Sequence, residues 1–98
     1  MSGELDPRAA GAKQIRNKIC IITGAGQGIG RTTAKRLGEE GGKIVVVDRI
    51  DEGASRTVTE LRDCNIEATK VLADVTKFSE AQRLIKKTVE TFGAVDFL

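Results

Sequence analysis

Two patterns alternate along this chain of 98 residues. Short unbroken apolar runs are followed by longer stretches in which apolar residues recur every three or four positions. Ile19-Cys20-Ile21-Ile22 is the first run, and its lack of polar interruptions predicts a strand buried on both faces, as in a parallel sheet. From Ile29 to about Glu40 the period becomes helical, with Ile29, Thr33 and Leu37 on one face, and Gly41-Gly42 predicts the stop. Ile44-Val45-Val46-Val47 repeats the strand pattern. Asp51 to Cys64 repeats the helical one, with Ala54, Val58 and Leu61 inward and Asn65 as the stop. A weaker strand is expected over Glu67 to Ala73. Thr76 is expected to cap a third helix whose stripe is Ala81, Leu84, Ile85, Thr88, Val89 and Phe92, ending at Gly93. Val95 to Leu98 reads as the start of a fourth strand. The order β-α-β-α-β-α-β predicts an α/β fold, a doubly wound parallel sheet with right-handed crossovers and helices on both faces.

Residues 1–17 have no such period. Gly3, Pro7 and Gly11 stand there among small and charged residues, which reads as a flexible leader before a domain spanning 18–98. Sixteen basic against fourteen acidic residues, mixed along the chain, leave no basic face for nucleic acid, and with 3% aromatic residues there is no stacking platform for single strands. No stretch approaches the ~20 apolar residues that span a membrane, and the start lacks the apolar core of a secretory signal, so the expected location is cytoplasmic. Cys20 and Cys64 fit reduced thiols there. Histidine is absent, which excludes Ser-His and Cys-His nucleophile pairs, and two cysteines alone make no ordinary zinc site, so no metal is expected.

The segment between the first strand and the first helix carries the chemistry. It reads Thr23-Gly24-Ala25-Gly26-Gln27-Gly28-Ile29-Gly30. A helix N-terminus presents unpaired N–H groups and partial positive charge, which attract phosphate, and glycines let the backbone come close to it. The spacing is informative. G-x-G-x-x-G fails from Gly24 and from Gly26, and no Lys follows Gly30 as a P-loop requires. T-G-x-x-x-G-x-G fits, as Thr23, Gly24, Gly28 and Gly30. On this motif the chain resembles the compact type of short-chain dehydrogenase/reductase, a Rossmann-like family. The extended branch of that family usually has glycine where Gln27 stands. The resemblance runs from Lys18 to Leu98.

Asp48 ends the second strand, 18 residues after Gly30. An acid there can accept from a ribose 2′-OH and repels a 2′-phosphate, which favours NAD over NADP. Arg49 beside it pulls the other way, since relatives that use NADP often hold the extra phosphate with a basic residue near this position; it also reads as a solvated surface cation. In the family, an Asp followed by a small apolar residue after strand three contacts adenine, which points to Asp74 and Val75; the plainer reading, that Asp74 helps cap the next helix, is compatible with that role. The resemblance thus implies a cofactor cradle of Thr23, Gly24, Gln27, Gly28, Ile29 and Gly30, with Asp48, Arg49, Asp74 and Val75 around the adenosine.

Family catalysis uses Ser, Tyr and a Lys four residues after that Tyr. This chain has no tyrosine, so no catalytic residue carries over. The implied function is NAD-dependent alcohol/carbonyl oxidoreduction by hydride transfer, with this chain as its dinucleotide-binding fragment. The small alcohol or carbonyl substrate would belong to the full-length protein, expected to be a homo-oligomer. With strand four only begun, Ile19 to Ile22 would lie near a sheet edge, so the isolated chain is expected to be marginal or to associate. Two other readings remain open at this point: a dinucleotide-binding module without catalysis, and a fragment of an S-adenosylmethionine-dependent methyltransferase, which the Thr23 motif disfavours.

Overall fold

The computed structural model describes residues 15–94. Three strands and three helices alternate: β1 (Ile19–Thr23), α1 (Gly28–Glu39), β2 (Lys43–Asp48), α2 (Asp51–Asp63), β3 (Ala68–Leu72) and α3 (Phe78–Phe92). The strands form one parallel sheet in the order β1-β2-β3, with Ile19 opposite Lys43 and Ile44 opposite Ala68. The expected fourth strand, Val95 to Leu98, lies outside the described residues, as do the first fourteen residues of the leader. The leader's last residues are tied to the domain. Ile15 packs against the core, and the Asn17 N–H donates to Gly41 O at 2.9 Å.

The apolar runs of β1 and β2 are buried on both faces, as unbroken runs require, whereas β3 is half-buried at Thr69 and Lys70. Cys20, Ile44, Val46 and Ala68 face one layer, which holds Ala34 of α1 and Ala54, Val58 and Leu61 of α2. Ile19, Ile21, Val45, Val47 and Val71 face the other, which holds Leu84 of α3. Helices therefore cover both sides of the sheet.

Two of the three helix stops are Schellman turns at the expected residues. Gly41 (φ +95°) lets Gly42 N–H reach Leu37 O at 3.0 Å, and Asn65 (φ +61°) lets Ile66 N–H reach Leu61 O at 3.0 Å. Gly93, also left-handed, caps α3.

The structure corrects three expectations. α1 does not bury Ile29 and Thr33: Ile29 is 86% exposed, and the buried positions are Ala34 and Gly38, with Leu37 half-buried. The reason is close approach. A Cβ on Gly38 would stand 2.6 Å from the Ile66 side chain, so α1 lies on the sheet layer by its smallest residues. The α3 stripe is narrower than its period suggests, with Leu84 and Thr88 buried but Ile85 and Val89 exposed. Thr76 does not cap α3. Its hydroxyl donates to Asp74 Oδ1 at 2.5 Å, so the nearer carboxylate captures it. Cys20 is buried, Cys64 is exposed, and no disulfide joins them.

Candidate functional site

The carboxyl ends of all three strands open onto one groove of about 310 Å3. Its walls include Thr23 and Gly24 after β1, Asp48 and Arg49 after β2, and Asp74 and Val75 after β3. In open parallel sheets this is the end at which ligands bind.

The glycine loop crosses the head of the groove and enters α1. Gly24 and Gly28 have φ of +63° and +60°, and a Cβ on either would touch no protein atom, so glycine is needed there for its conformation. Gly30 is needed for space: a Cβ would lie 2.3 Å from Gly24 O. The N-cap of α1, Gln27, makes no side-chain cap bond, and the first turn contains no acidic residue. No side chain of the turn itself therefore caps its N–H groups or offsets their positive field, which suits an anion.

Asp48 joins the loop to the groove. Its Oδ2 accepts the Gly26 N–H at 3.0 Å, and its Oδ1 accepts the N–H groups of Arg49 at 2.7 Å and Ile50 at 3.3 Å. A carboxylate offers about four acceptor positions, so Oδ2 keeps one for a further donor.

On the far wall, Asp74 Oδ1 accepts from the Thr76 hydroxyl and, at 3.0 Å, from the Thr76 N–H. These bonds hold its carboxyl below the ordinary value of 3.8, the hydroxyl contributing most; partial burial opposes them, and the Arg49 and Lys77 cations assist. Asp74 also helps order the α3 start through its backbone, since its N–H donates to Glu80 Oε1 at 2.9 Å and its carbonyl accepts from Lys77. Arg49 leans across the groove, with Nη1 4.0 Å from Asp74 Oδ2.

Six of the sequence-derived site residues thus share one groove. Gln27 lines a smaller pocket that shares Asp48 with the groove, and Gly28 and Ile29 lie on the outer surface of the α1 start. Two contributors were missed by sequence reasoning. A Cβ on Gly53 would come within 2.9 Å of Gly26 O, so α2 rests directly on the loop. The buried Thr57 hydroxyl donates to Ala25 O at 2.8 Å and fixes the loop from below. The signal for Gly53 was a glycine in the first turn of a helix, where it is otherwise costly. Among the described residues, no cluster of three or more His, Cys, Asp or Glu side chains could hold a metal, and no helix is long and apolar enough to cross a membrane.

Comparison with known proteins agrees with this fold. Over 89 residues the chain is 40% identical to 1,6-dihydroxycyclohexa-2,4-diene-1-carboxylate dehydrogenase of Pseudomonas putida, which covers 88% of this chain and 31% of that protein. Its fold matches a hydroxysteroid dehydrogenase from Escherichia coli with a TM-score of 0.85 at 30% identity, covering 91% of this chain and 38% of the other. It matches a short-chain dehydrogenase/reductase from Burkholderia phymatum, solved in complex with NAD, with a TM-score of 0.77 at 40% identity, covering 83% and 29%. The chain thus spans about a third of the length of the relatives it matches. The family model for short chain dehydrogenases matches residues 18–98, and with a Rossmann-like sheet, a glycine loop of this spacing and relatives at this identity, the chain belongs to the short-chain dehydrogenase/reductase family of oxidoreductases.

Proposed function

We propose that this chain is the NAD(H)-binding portion of an oxidoreductase that interconverts an alcohol and a carbonyl. When bound, the nicotinamide supplies or accepts the hydride. The chain's own residues bind and orient. The α1 N-terminus receives the pyrophosphate, with Gly24 and Gly28 leaving its approach open. Asp48 accepts from the adenosine ribose, and Asp74 with Val75 meets the adenine. No residue of this chain is assigned the proton transfer, which in the family belongs to a tyrosine. A cytoplasmic homo-oligomer acting on a small alcohol or carbonyl is the setting that the family suggests.

The observation that carries this reading is Asp48. Its carboxylate stands at the end of β2 between the loop and the groove, held by three N–H groups and with acceptor capacity left over. A fixed anion there suits a ribose hydroxyl and opposes a phosphate. Asp48→Ala should weaken NADH on the order of tenfold or more, the scale of a hydrogen bond to a charged group. NADPH should weaken less, or strengthen. The ratio of the two dissociation constants is the readout, because loosening the loop would affect both alike. Equal loss for both cofactors would remove Asp48 from the discrimination.

A further inference from the structure

Asp48 has a second opening beside it. Asp48, which lines the groove, also lines a pocket of about 190 Å3 whose other walls include Gln27, Glu52 and Arg56. Each of the two openings that Asp48 lines has one cation in its wall. Arg49 lines the groove and approaches Asp74, whereas Arg56 lines the second pocket. Arg56 is engaged there: its Nη2 donates to Glu52 Oε1 at 3.2 Å, one helical turn upstream. Their side chains are 58% and 83% exposed, so the pair is screened by solvent and yields readily to a competing anion.

We propose that this second pocket, and not Arg49, decides between the two nicotinamide dinucleotides: Asp48 and Glu52 together exclude a 2′-phosphate, and Arg56 is a phosphate ligand that Glu52 keeps occupied. The inference rests on the dinucleotide reading above. A ribose whose hydroxyl edge meets Asp48 directs its 2′-oxygen at that carboxylate, and a phosphate on this oxygen needs room beyond it. The second pocket is that room. It presents two carboxylates against one guanidinium, and the planar guanidinium fork that suits phosphate best is turned to Glu52. Neutralising Glu52 acts twice in one direction, removing a repulsion and releasing a ligand.

The test is titration with NADH and NADPH at one salt concentration. It compares the unaltered chain with Glu52→Gln, Glu52→Gln/Arg56→Ala and Arg49→Ala. Glu52→Gln should lower the NADPH-to-NADH dissociation ratio about tenfold, the worth of one charge-assisted hydrogen bond, with NADH affinity unchanged. Adding Arg56→Ala should raise the ratio again, by the part that the freed guanidinium contributes, and Arg49→Ala alone should leave the parent ratio in place. Glu52 and Arg56 are exposed on α2, so these variants should keep the circular dichroism of the parent. A second set in an Asp48→Asn background raises NADPH binding into the measurable range. A ratio unmoved by Glu52→Gln in both backgrounds, or unmoved by Arg56→Ala thereafter, overturns the proposal while NADH binding stands. An unaltered, folded chain that binds neither dinucleotide overturns the dinucleotide reading and this inference with it.

Discussion

Asp48 organises the site before any ligand arrives. Three backbone N–H groups converge on its carboxylate, one from the loop and two from the turn that leads into α2. The glycines around it serve two separate purposes, which substitution distinguishes. Gly24→Ala asks an L-residue to hold φ near +63° and should cost roughly 1–2 kcal/mol. Gly30→Ala places a methyl against a backbone carbonyl that cannot turn aside, and should cost about 3 kcal/mol despite the helix propensity gained. Chemical denaturation of the two variants checks the order; a larger loss at Gly24 would mean that close packing of the loop on α1 is not what Gly30 provides. Both positions were legible in the motif, and so were Asp48 and Asp74, because strand ends can be located from apolar runs. The partners of those residues were not. Nothing in the sequence says that Arg49 leans toward Asp74, since a flexible exposed side chain chooses its partner only once β2 and β3 are adjacent.

At the scale of the elements, α2 is the support on which the loop rests. Gly53 permits the contact and Thr57 fastens it. Thr57→Val keeps the shape of the side chain but leaves the Ala25 carbonyl without its buried donor, and should cost about 1–3 kcal/mol. It should also weaken NADH binding, although Thr57 does not line the groove. A drop in denaturation midpoint with unchanged NADH affinity would show that the tether serves the fold alone. The strands and the helix stops were legible because each depends on local rules: β-branched runs, and glycine or asparagine at the left-handed position. The inward face of α1 was not. Periodicity ranks Ile29 and Thr33 above Ala34 and Gly38, but close approach to Ile66 selects the small residues. The Thr76 cap was misjudged for a related reason, because Asp74 competes for the same hydroxyl two residues away.

In the molecule as a whole, one sheet divides two apolar layers and gathers its chemistry at the strand ends. Two carboxylates stabilise this arrangement in their ionised form. Asp51 is held below 3.8 chiefly by the Lys70 ammonium that donates to it, then by the Ser55 hydroxyl, and Asp74 by Thr76. A carboxyl with a lowered folded-state value stabilises the fold above its unfolded value, and that stability is lost as pH falls through the folded one. Denaturation midpoints should therefore hold near neutrality and fall as pH drops below about 4, with Asp74→Asn flattening part of the slope. A slope unchanged by that substitution would remove Asp74 from the acid response. The fold class was legible from the alternation of periods, whereas the smaller pocket beside Asp48 was not, because it exists only where Gly26 and α2 meet. The most direct measurement is calorimetric titration of the folded, monodisperse chain with NADH and with NADPH. Binding of NADH, tighter than NADPH, is the predicted result; a folded chain that binds NADPH more tightly, or neither cofactor, would contradict the assignment of this groove to NAD(H).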